Sequence, residues 1–213
     1  MTPAEVGRAL RVSRETLARL EAYAERLTRW SGAINLVARS TLPDLWRRHI
    51  LDCGQLEALA PSGARRWLDL GAGAGLPALV VAIVAAERRP ELSVVAVESD
   101  ARKCAFMSET ARALGLPVEI RRMRAEAAAP SCADVVSARA LAGLPHLLRL
   151  AEPALSPGGV ALFPKGRGVE HELTEAAREW HYQPRRWPSL SDPAATILEL
   201  SEIRRERHAR PEA

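Results

Sequence analysis

The chain has 213 residues, of which 47% are hydrophobic and 26% are charged, and its formal net charge is +4 at pH 7. This composition suffices for a buried core and excludes an intrinsically disordered chain, and the length excludes a large multidomain protein. The small charge excess argues against a dedicated nucleic-acid coat. Lysine occurs only at Lys103 and Lys165, so arginine supplies nearly all of the positive charge.

The cysteines and the apolar segments bear on location. Cys53, Cys104 and Cys132 are widely separated and form no CxxC pair, which predicts structural thiols in a reducing cytoplasm and no metal site. No apolar run reaches the ~18 residues that span a bilayer, and no basic start followed by an apolar stretch indicates a secretory signal. We therefore expect a cytoplasmic protein that does not bind membranes, and we expect it to be a monomer.

The first sixty residues are predicted to be helical. Apolar residues recur at near-helical spacing over residues 9–30, Ser13 offers an N-cap, and a second helical segment is predicted over residues 42–60. We predict an N-terminal helical subdomain over residues 1–62 and a core domain over residues 63–213.

In the predicted core domain, short apolar runs alternate with longer amphipathic ones. Strands separated by helices of this length predict right-handed βαβ crossovers and a mostly parallel sheet covered on both faces. The predicted strands are residues 66–70, 92–98, 118–121, 133–137 and 160–164, with a further one within 191–203. The predicted helices are residues 76–88, 101–114, 144–155 and 170–180, and residues 204–210 are predicted to be a charged tail.

A glycine-rich loop follows the first predicted strand. Asp69 precedes three alternating glycines, Gly71, Gly73 and Gly75, and a helix follows, so the loop lies at the carboxyl end of the strand, where doubly wound folds bind ligands. Dinucleotide enzymes use G-x-G-x-x-G, but here Leu76 occupies the position of the third glycine. An acid before the loop suits the cationic sulfonium and amino group of S-adenosylmethionine better than a pyrophosphate.

Three later strand ends carry further candidate cofactor contacts. Glu98 ends the second strand, where a carboxylate accepts hydrogen bonds from both ribose hydroxyls of an adenosine. Nicotinamide cofactors are bound in the same way, so Glu98 alone does not discriminate between the two classes. Ala125 and Glu126 follow the third strand and are predicted to border the adenine, and Arg139 follows the fourth strand at the same edge.

Four motifs occur in the order and spacing of one known family. They are Arg48-His49-Ile50-Leu51-Asp52, the loop from Asp69 to Pro77, Ser137-Ala138-Arg139-Ala140, and Lys165-Gly166. Over about residues 20–166 the chain resembles the bacterial small-subunit ribosomal RNA guanine-N7 methyltransferases, also called the glucose-inhibited division protein B family. The resemblance implies an α/β class I methyltransferase fold, which is Rossmann-like, with S-adenosylmethionine as cofactor and methylation of one guanine at N7 in 16S rRNA.

The resemblance also implies roles for individual residues and a partner. It assigns cofactor contacts to Gly71, Leu76, the pair Ala125-Glu126, and Arg139, and its partner is 16S rRNA or the small-subunit ribosomal particle. Where the family usually has glycine, this chain has Ala78, and where it commonly has serine, this chain has Cys53.

The chemistry of guanine N7 limits what the enzyme must supply. N7 carries a free lone pair, so no general base is needed, and catalysis rests on placing nucleophile, methyl group and leaving sulfur in line. We expect Lys165 or Arg139 to orient the base by holding guanine O6, which lies beside N7. Arg48 and His49 either lie over the cofactor cleft and help to hold RNA or close the site, or they are a pair on a helix surface, or His49 is a buried histidine that donates to a carbonyl.

Arginine-rich segments and alternative functions complete the sequence-based expectations. Residues 121–124 and 204–208 are candidate phosphate contacts for RNA, and a solvated surface is the alternative for each. A small-molecule methyltransferase of the same fold, a nicotinamide-dependent oxidoreductase and a cofactor-free RNA-binding factor are the alternative functions.

Overall fold

The computed structural model describes residues 1–128 and 132–206, and it begins with helices. Helix α1 spans Pro3–Leu10 and α2 spans Arg14–Ser31, with the predicted N-cap Ser13 accepting a hydrogen bond from the Thr16 N–H. The predicted helix over residues 42–60 is instead a series of short turns, and Pro43, which has no backbone N–H, limits α-helical bonding only in the first of them. These turns are a 3₁₀ segment Arg39–Asp44, a π-helical segment Trp46–Leu51, the short helix α3 at Asp52–Gly54, and a 3₁₀ turn Glu57–Leu59.

Seven strands form one sheet in the order β3-β2-β1-β4-β5-β7-β6. The first five are parallel to their neighbours, and β7 runs antiparallel between β5 and β6. The strands are β1 Arg66–Leu70, β2 Ser93–Glu98, β3 Val118–Arg122, β4 Ala133–Ser137, β5 Leu155–Lys165, β6 Trp180–Pro188 and β7 Thr196–Arg205. This order and direction confirm the predicted α/β class and the mostly parallel sheet.

Four helices connect the strands at the predicted places, but two of them end early. They are α4 Ala78–Arg88, α5 Ala101–Ala113, α6 Leu144–Ala151 and α7 Val169–Ala176. The prediction for residues 144–155 was too long because Pro153 lies in a 3₁₀ turn before β5. The prediction for residues 170–180 was also too long, since Trp180 already begins β6.

The edge strand β6 was not predicted from the sequence, and part of the predicted tail is a strand. Pro184 and Pro188 obscure the strand pattern, yet an outer strand tolerates prolines because one of its sides needs no hydrogen bonds. Arg204 and Arg205, predicted as part of the tail, lie at the end of β7 and pair with His181 and Trp180 of β6. Residues 207–213 of that tail lie outside the described residues.

Alternate residues of the strands face opposite sides of the sheet, and each side has its own buried cluster. Trp67 belongs to the cluster with α4 and α5, whereas its neighbour Leu68 belongs to the cluster with α6 and α7. Leu20 and Leu27 of α2 join the first cluster, which therefore crosses the predicted boundary at residue 62. The two-domain division stays a prediction. Within the described ranges, no helix is long and apolar enough to cross a bilayer.

A buried carboxylate fastens the N-terminal helices to α4. Glu57 is 1% exposed, and its two oxygens accept hydrogen bonds from Arg88 Nη1 and Arg89 Nε, each at 2.9 Å. The same guanidinium groups donate to carbonyl oxygens of Leu10 and Pro61. Glu57 thus orients two arginines that bind the end of α1 at Leu10 and the segment before β1 at Pro61.

We predict that Glu57→Gln lowers the free energy of unfolding by about 2 kcal/mol, because charge-assisted hydrogen bonds in a buried site are weakened. The measurement is urea denaturation followed by circular dichroism. Glu119→Gln is the matched control, since Glu119 forms an exposed ion pair with Arg121, and its loss should change stability by less than about 1 kcal/mol. Equal effects of both substitutions would contradict the role of Glu57.

Candidate functional site

The carboxyl ends of β1 and β4 lie side by side at the point where the sheet order reverses. The chain leaves β1 toward β2 and leaves β4 toward β5, on the other side, and this divergence opens a crevice in which such folds bind ligands. A cavity of about 520 Å³ lies in this crevice; we call it the cofactor cavity. It includes most of the predicted cofactor residues: Gly71, Gly73, Leu76, Glu98, Ala125, Glu126 and Arg139.

The glycine loop forms the floor of the cofactor cavity. Gly71, Gly73 and Gly75 have φ angles of 67°, 58° and 84°, in the left-handed region that side chains disfavour. A Cβ on Gly75 would lie 2.4 Å from Leu79 Cγ, so Gly75 permits close packing of α4 rather than lining the cavity. The loop is also held from the N-terminal side, because the buried Tyr23 hydroxyl donates to the Ala74 carbonyl at 2.9 Å.

Asp69 lies behind the loop rather than in the cavity wall. Its carboxylate is fully buried, and it accepts hydrogen bonds from Ser137 Oγ at 2.8 Å and from the Ala78 N–H at 3.0 Å. The methyl group of Ala78 is also fully buried, so alanine is accommodated at this position. Burial raises the pKa of Asp69 to about 7, although both hydrogen bonds and the nearby Arg139 favour the charged form. The structure therefore makes Asp69 the support of the loop.

Glu98 presents a preorganised carboxylate to the cofactor cavity. Oε2 accepts a hydrogen bond from the Gly73 N–H at 2.9 Å, and Oε1 accepts from the N–H groups of Ser99 and Asp100 at 2.7 and 2.8 Å. Three backbone donors fix the carboxylate, and Oε2, which accepts only one of them, retains a lone pair for a ligand hydroxyl. This geometry fits the predicted contact with a ribose.

The remaining walls of the cofactor cavity fit an adenosine-containing ligand. Apolar side chains of Leu36, Val97, Met123 and Leu150 line it together with the small residues of the loop. Ala125 and Glu126 form the turn after β3, as predicted for the adenine border. Charged side chains, among them Glu98, Lys103 and Arg124, line it as well. A cavity of this size thus offers both apolar surface and polar groups to a nucleoside cofactor.

A second cavity, of about 670 Å³, adjoins the first. Arg139 and Ala140 line both cavities, so the Arg139 side chain lies at their boundary. Arg48, His49 and Lys165, the other substrate-orienting candidates, also line the second cavity. The structure therefore brings all four candidates together beside the predicted cofactor residues.

Hydrogen bonds hold Arg139 against the segment that carries Arg48 and His49. Arg139 Nη2 lies 3.0 Å from His49 Nδ1, and Nη1 lies 3.4 Å from the Arg48 carbonyl oxygen. Asp52 Oδ2 is 3.6 Å from Nη1. Hence the segment from Arg48 to Asp52 supplies the partners of Arg139. His49 is only 7% exposed, as expected for a buried histidine.

Lys165 ends β5 and faces the second cavity with its charge partly compensated. Its Nζ donates to Glu172 Oε2 at 2.7 Å and to the Ala142 carbonyl at 3.3 Å. An ammonium group has three N–H donors, so these two partners leave one for a ligand. Glu172 also accepts from the Leu144 N–H at 2.7 Å, which fixes the position of the pair.

The largest described cavity lies away from the strand ends. It measures about 800 Å³ and is bordered by Leu10, Glu57, Arg88 and the apolar residues Trp187 and Leu190. Its carboxylate and arginine are already paired with each other, so its polar groups serve folding. The two cavities that share Arg139 are the better candidate site.

Several residues of the site were not predicted from the sequence. Tyr23 lies on the apolar face of α2, where its spacing matches that of ordinary core residues. Glu172 is an acid in the first turn of α7, seven residues after Lys165. This short separation was the sequence signal from which its pairing with Lys165 could have been predicted. Among the predicted RNA contacts, Arg121 pairs with Glu119 and Arg124 lines the cofactor cavity, whereas Arg207 and His208 lie outside the described residues.

Comparisons with known proteins identify the family. The family model of rRNA small subunit methyltransferase G matches residues 16–194. The chain belongs to this family. It is 51% identical to the ribosomal RNA small subunit methyltransferase G of Paramagnetospirillum magneticum, over 97% of this chain and 98% of that protein. It is 52% identical to the protein of that name from Rhodospirillum centenum, over 92% of this chain and 88% of that protein.

Membership of the rRNA small subunit methyltransferase G family confirms the resemblance, the enzyme class and the cofactor, S-adenosyl-L-methionine, expected from the sequence. A solved S-adenosylmethionine-dependent methyltransferase from Aquifex aeolicus shares the fold, with a TM-score of 0.57 and 14% identity over 74% of this chain and 92% of that one. The nicotinamide alternative is therefore excluded. The assignment of individual site residues to the cofactor stays a prediction.

We predict that Asp69→Asn changes the pH dependence of stability. Because the folded pKa is raised, this group's stabilising contribution is full below pH 4 and is lost as pH rises through about 7. Asparagine does not ionise, so the variant should gain stability relative to the parent between pH 5 and 8, by up to about 1.4 kcal/mol per pH unit. Asp134→Asn is the control, since the pKa of Asp134 is lowered and its effect should be constant over that range. A constant difference for Asp69→Asn would refute the raised pKa.

We predict that Glu98→Gln weakens binding of S-adenosylhomocysteine, measured by isothermal titration calorimetry. The amide brings an N–H group toward backbone N–H donors and removes the charged acceptor, so roughly a 10- to 100-fold increase in Kd is expected. The exposed Glu91→Gln serves as control. An unchanged Kd for Glu98→Gln would remove Glu98 from the cofactor site.

Proposed function

We propose that the protein transfers a methyl group from S-adenosylmethionine to N7 of one guanine in 16S rRNA, with the guanine in the second cavity. The observation that carries the proposal is the shared boundary at Arg139: a second cavity, large enough to admit a base, lies directly beside the cofactor cavity. Family membership over residues 16–194 supports the reaction class and the RNA substrate.

The residues of the second cavity suit N7 as the acceptor. When bound, S-adenosylmethionine supplies a methyl group on a positively charged sulfur. Guanine N7 attacks with its own lone pair, so the residues of the chain need only hold and align the base. Lys165 and Arg139 supply N–H donors for the neighbouring O6.

The acids of the second cavity favour the product of this reaction. Methylation leaves a positive charge on the guanine ring, and a purely cationic pocket would oppose it. Asp52, Glu172 and Asp192 line the same cavity as Arg48, Arg139 and Lys165. These carboxylates offset the added charge while the cations still hold O6 and the phosphates.

We also propose that the enzyme acts as a monomer in the cytoplasm, on 16S rRNA or on the small-subunit ribosomal particle. Arg48, which lines the second cavity, is placed to contact RNA phosphates.

The decisive test is to map N7-methylguanine in 16S rRNA from cells with and without this gene. In vitro, labelled S-adenosylmethionine is incubated with the protein and with either naked 16S rRNA or the small-subunit particle. Label in one guanine supports the proposal, and the better of the two substrates identifies the natural one. Label confined to small molecules of a cell extract would contradict the proposal and indicate a small-molecule methyltransferase.

We predict that Lys165→Ala lowers kcat/KM for rRNA about 10- to 100-fold, the effect of losing a charged hydrogen-bond donor, and leaves Kd for S-adenosylhomocysteine within about twofold. Arg112→Ala, on the exposed side of α5, is the control. Unchanged turnover would show that Lys165 does not act on the substrate. An equally large loss of cofactor affinity would show that Lys165 acts on the cofactor instead of the guanine.

A further inference from the structure

The boundary between the two cavities depends on one flexible side chain. Arg139 has many rotamers, and ordering such a side chain costs up to about 2 kcal/mol. It is nonetheless 20% exposed in its side chain and aims both terminal nitrogens at residues 48–52. Something in that segment must therefore fix its orientation.

Of the three groups that Arg139 contacts there, His49 is the nearest, at 3.0 Å, and the direction of its hydrogen bond can be determined. A guanidinium has no acceptor, so the contact of Arg139 Nη2 with His49 Nδ1 is a hydrogen bond only if Nδ1 is unprotonated. On the opposite side of the ring, His49 Nε2 lies 2.8 Å from Thr41 Oγ1, and the Thr41 hydroxyl donates to the Ala38 carbonyl at 2.6 Å. Thr41 must then accept from His49, which places the ring proton on Nε2.

The surroundings of His49 keep the ring neutral. Burial lowers its pKa to about 4, and the cations Arg139 and Arg48 act in the same direction. One continuous chain of donors thus runs from Arg139 through His49 and Thr41 to Ala38. No other tautomer of His49 satisfies both contacts.

We propose that His49 is a positioning residue, locked by Thr41 in the Nε2–H tautomer so that its Nδ1 lone pair holds the Arg139 guanidinium at the boundary of the two cavities. It touches neither methyl donor nor base in this role and acts through Arg139. The catalytic consequence rests on the proposed function, whereas the tautomer and the contact do not.

The contact itself is tested without activity by nitrogen NMR of the folded protein labelled with ¹⁵N-histidine. The expected spectrum shows His49 with an unprotonated Nδ1 and a protonated Nε2 at pH 7, and Arg139→Ala should shift the Nδ1 resonance. A protonated Nδ1, or an Nδ1 resonance that does not respond to Arg139→Ala, would overturn the proposal.

The positioning role is tested by a double-mutant cycle on single-turnover methyl transfer to the small-subunit particle. His49→Phe keeps the ring volume but has no acceptor, and a misplaced Arg139 should lower the rate by up to about 100-fold. In the Arg139→Ala background the same change should cost less than about twofold. An equal loss in both backgrounds, or no loss in the parent background, would show that His49 does not act through Arg139.

A second variant covers the case in which His49→Phe does not fold. Thr41→Val frees the ring proton, so it should slow transfer in the parent background and not in Arg139→Ala, with Thr28→Val as the matched control because Thr28 likewise donates to a helix carbonyl. Equal slowing in both backgrounds, or none in the parent, would again overturn the role. If the parent itself transfers no methyl group, the proposed function fails while the NMR result still decides the contact.

Discussion

A single buried carboxylate ties together the elements on which the site depends. Asp69 is the penultimate residue of β1. Its carboxylate accepts hydrogen bonds from Ser137, at the end of β4, and from the first N–H of α4. Ser137 in turn accepts a hydrogen bond from Trp67 Nε1 at 2.8 Å. The glycine loop is stretched between these fixed points, so its left-handed turns follow from where its two ends are held.

The two cavities follow from this anchor and from the divergence of β1 and β4. One cavity presents Glu98, which backbone N–H groups hold in place, and the other presents cations partly neutralised by acids. Arg139 follows β4 directly after Ser137 and Ala138, so the element that supports the loop also delivers the residue at the boundary. The cofactor cavity and the second cavity therefore lie at one sheet edge.

The central sheet was predictable because its signals are local. β1, β2 and β4 are short, largely apolar runs, and β3 alternates Val118 and Ile120 with charged residues. The ends of these strands place Glu98, Ala125 and Arg139 at one edge without knowledge of any contact. A partner distant in sequence was not predictable, because Tyr23 meets the glycine loop, 51 residues further along the chain, only after folding. The short turns of residues 39–59 escaped prediction because the apolar residues there indicated helical turns without indicating which hydrogen-bonding pattern, α, 3₁₀ or π, they adopt.

The outermost strand has a consequence for behaviour in a crowded cell. A free strand edge invites pairing with the edge of another molecule, the first step of sheet aggregation. Pro184 and Pro188 in β6 lack backbone donors, and the exposed Arg185 and Arg186 between them add charge. The prolines and arginines of β6 therefore disfavour pairing of this edge with a strand of another molecule.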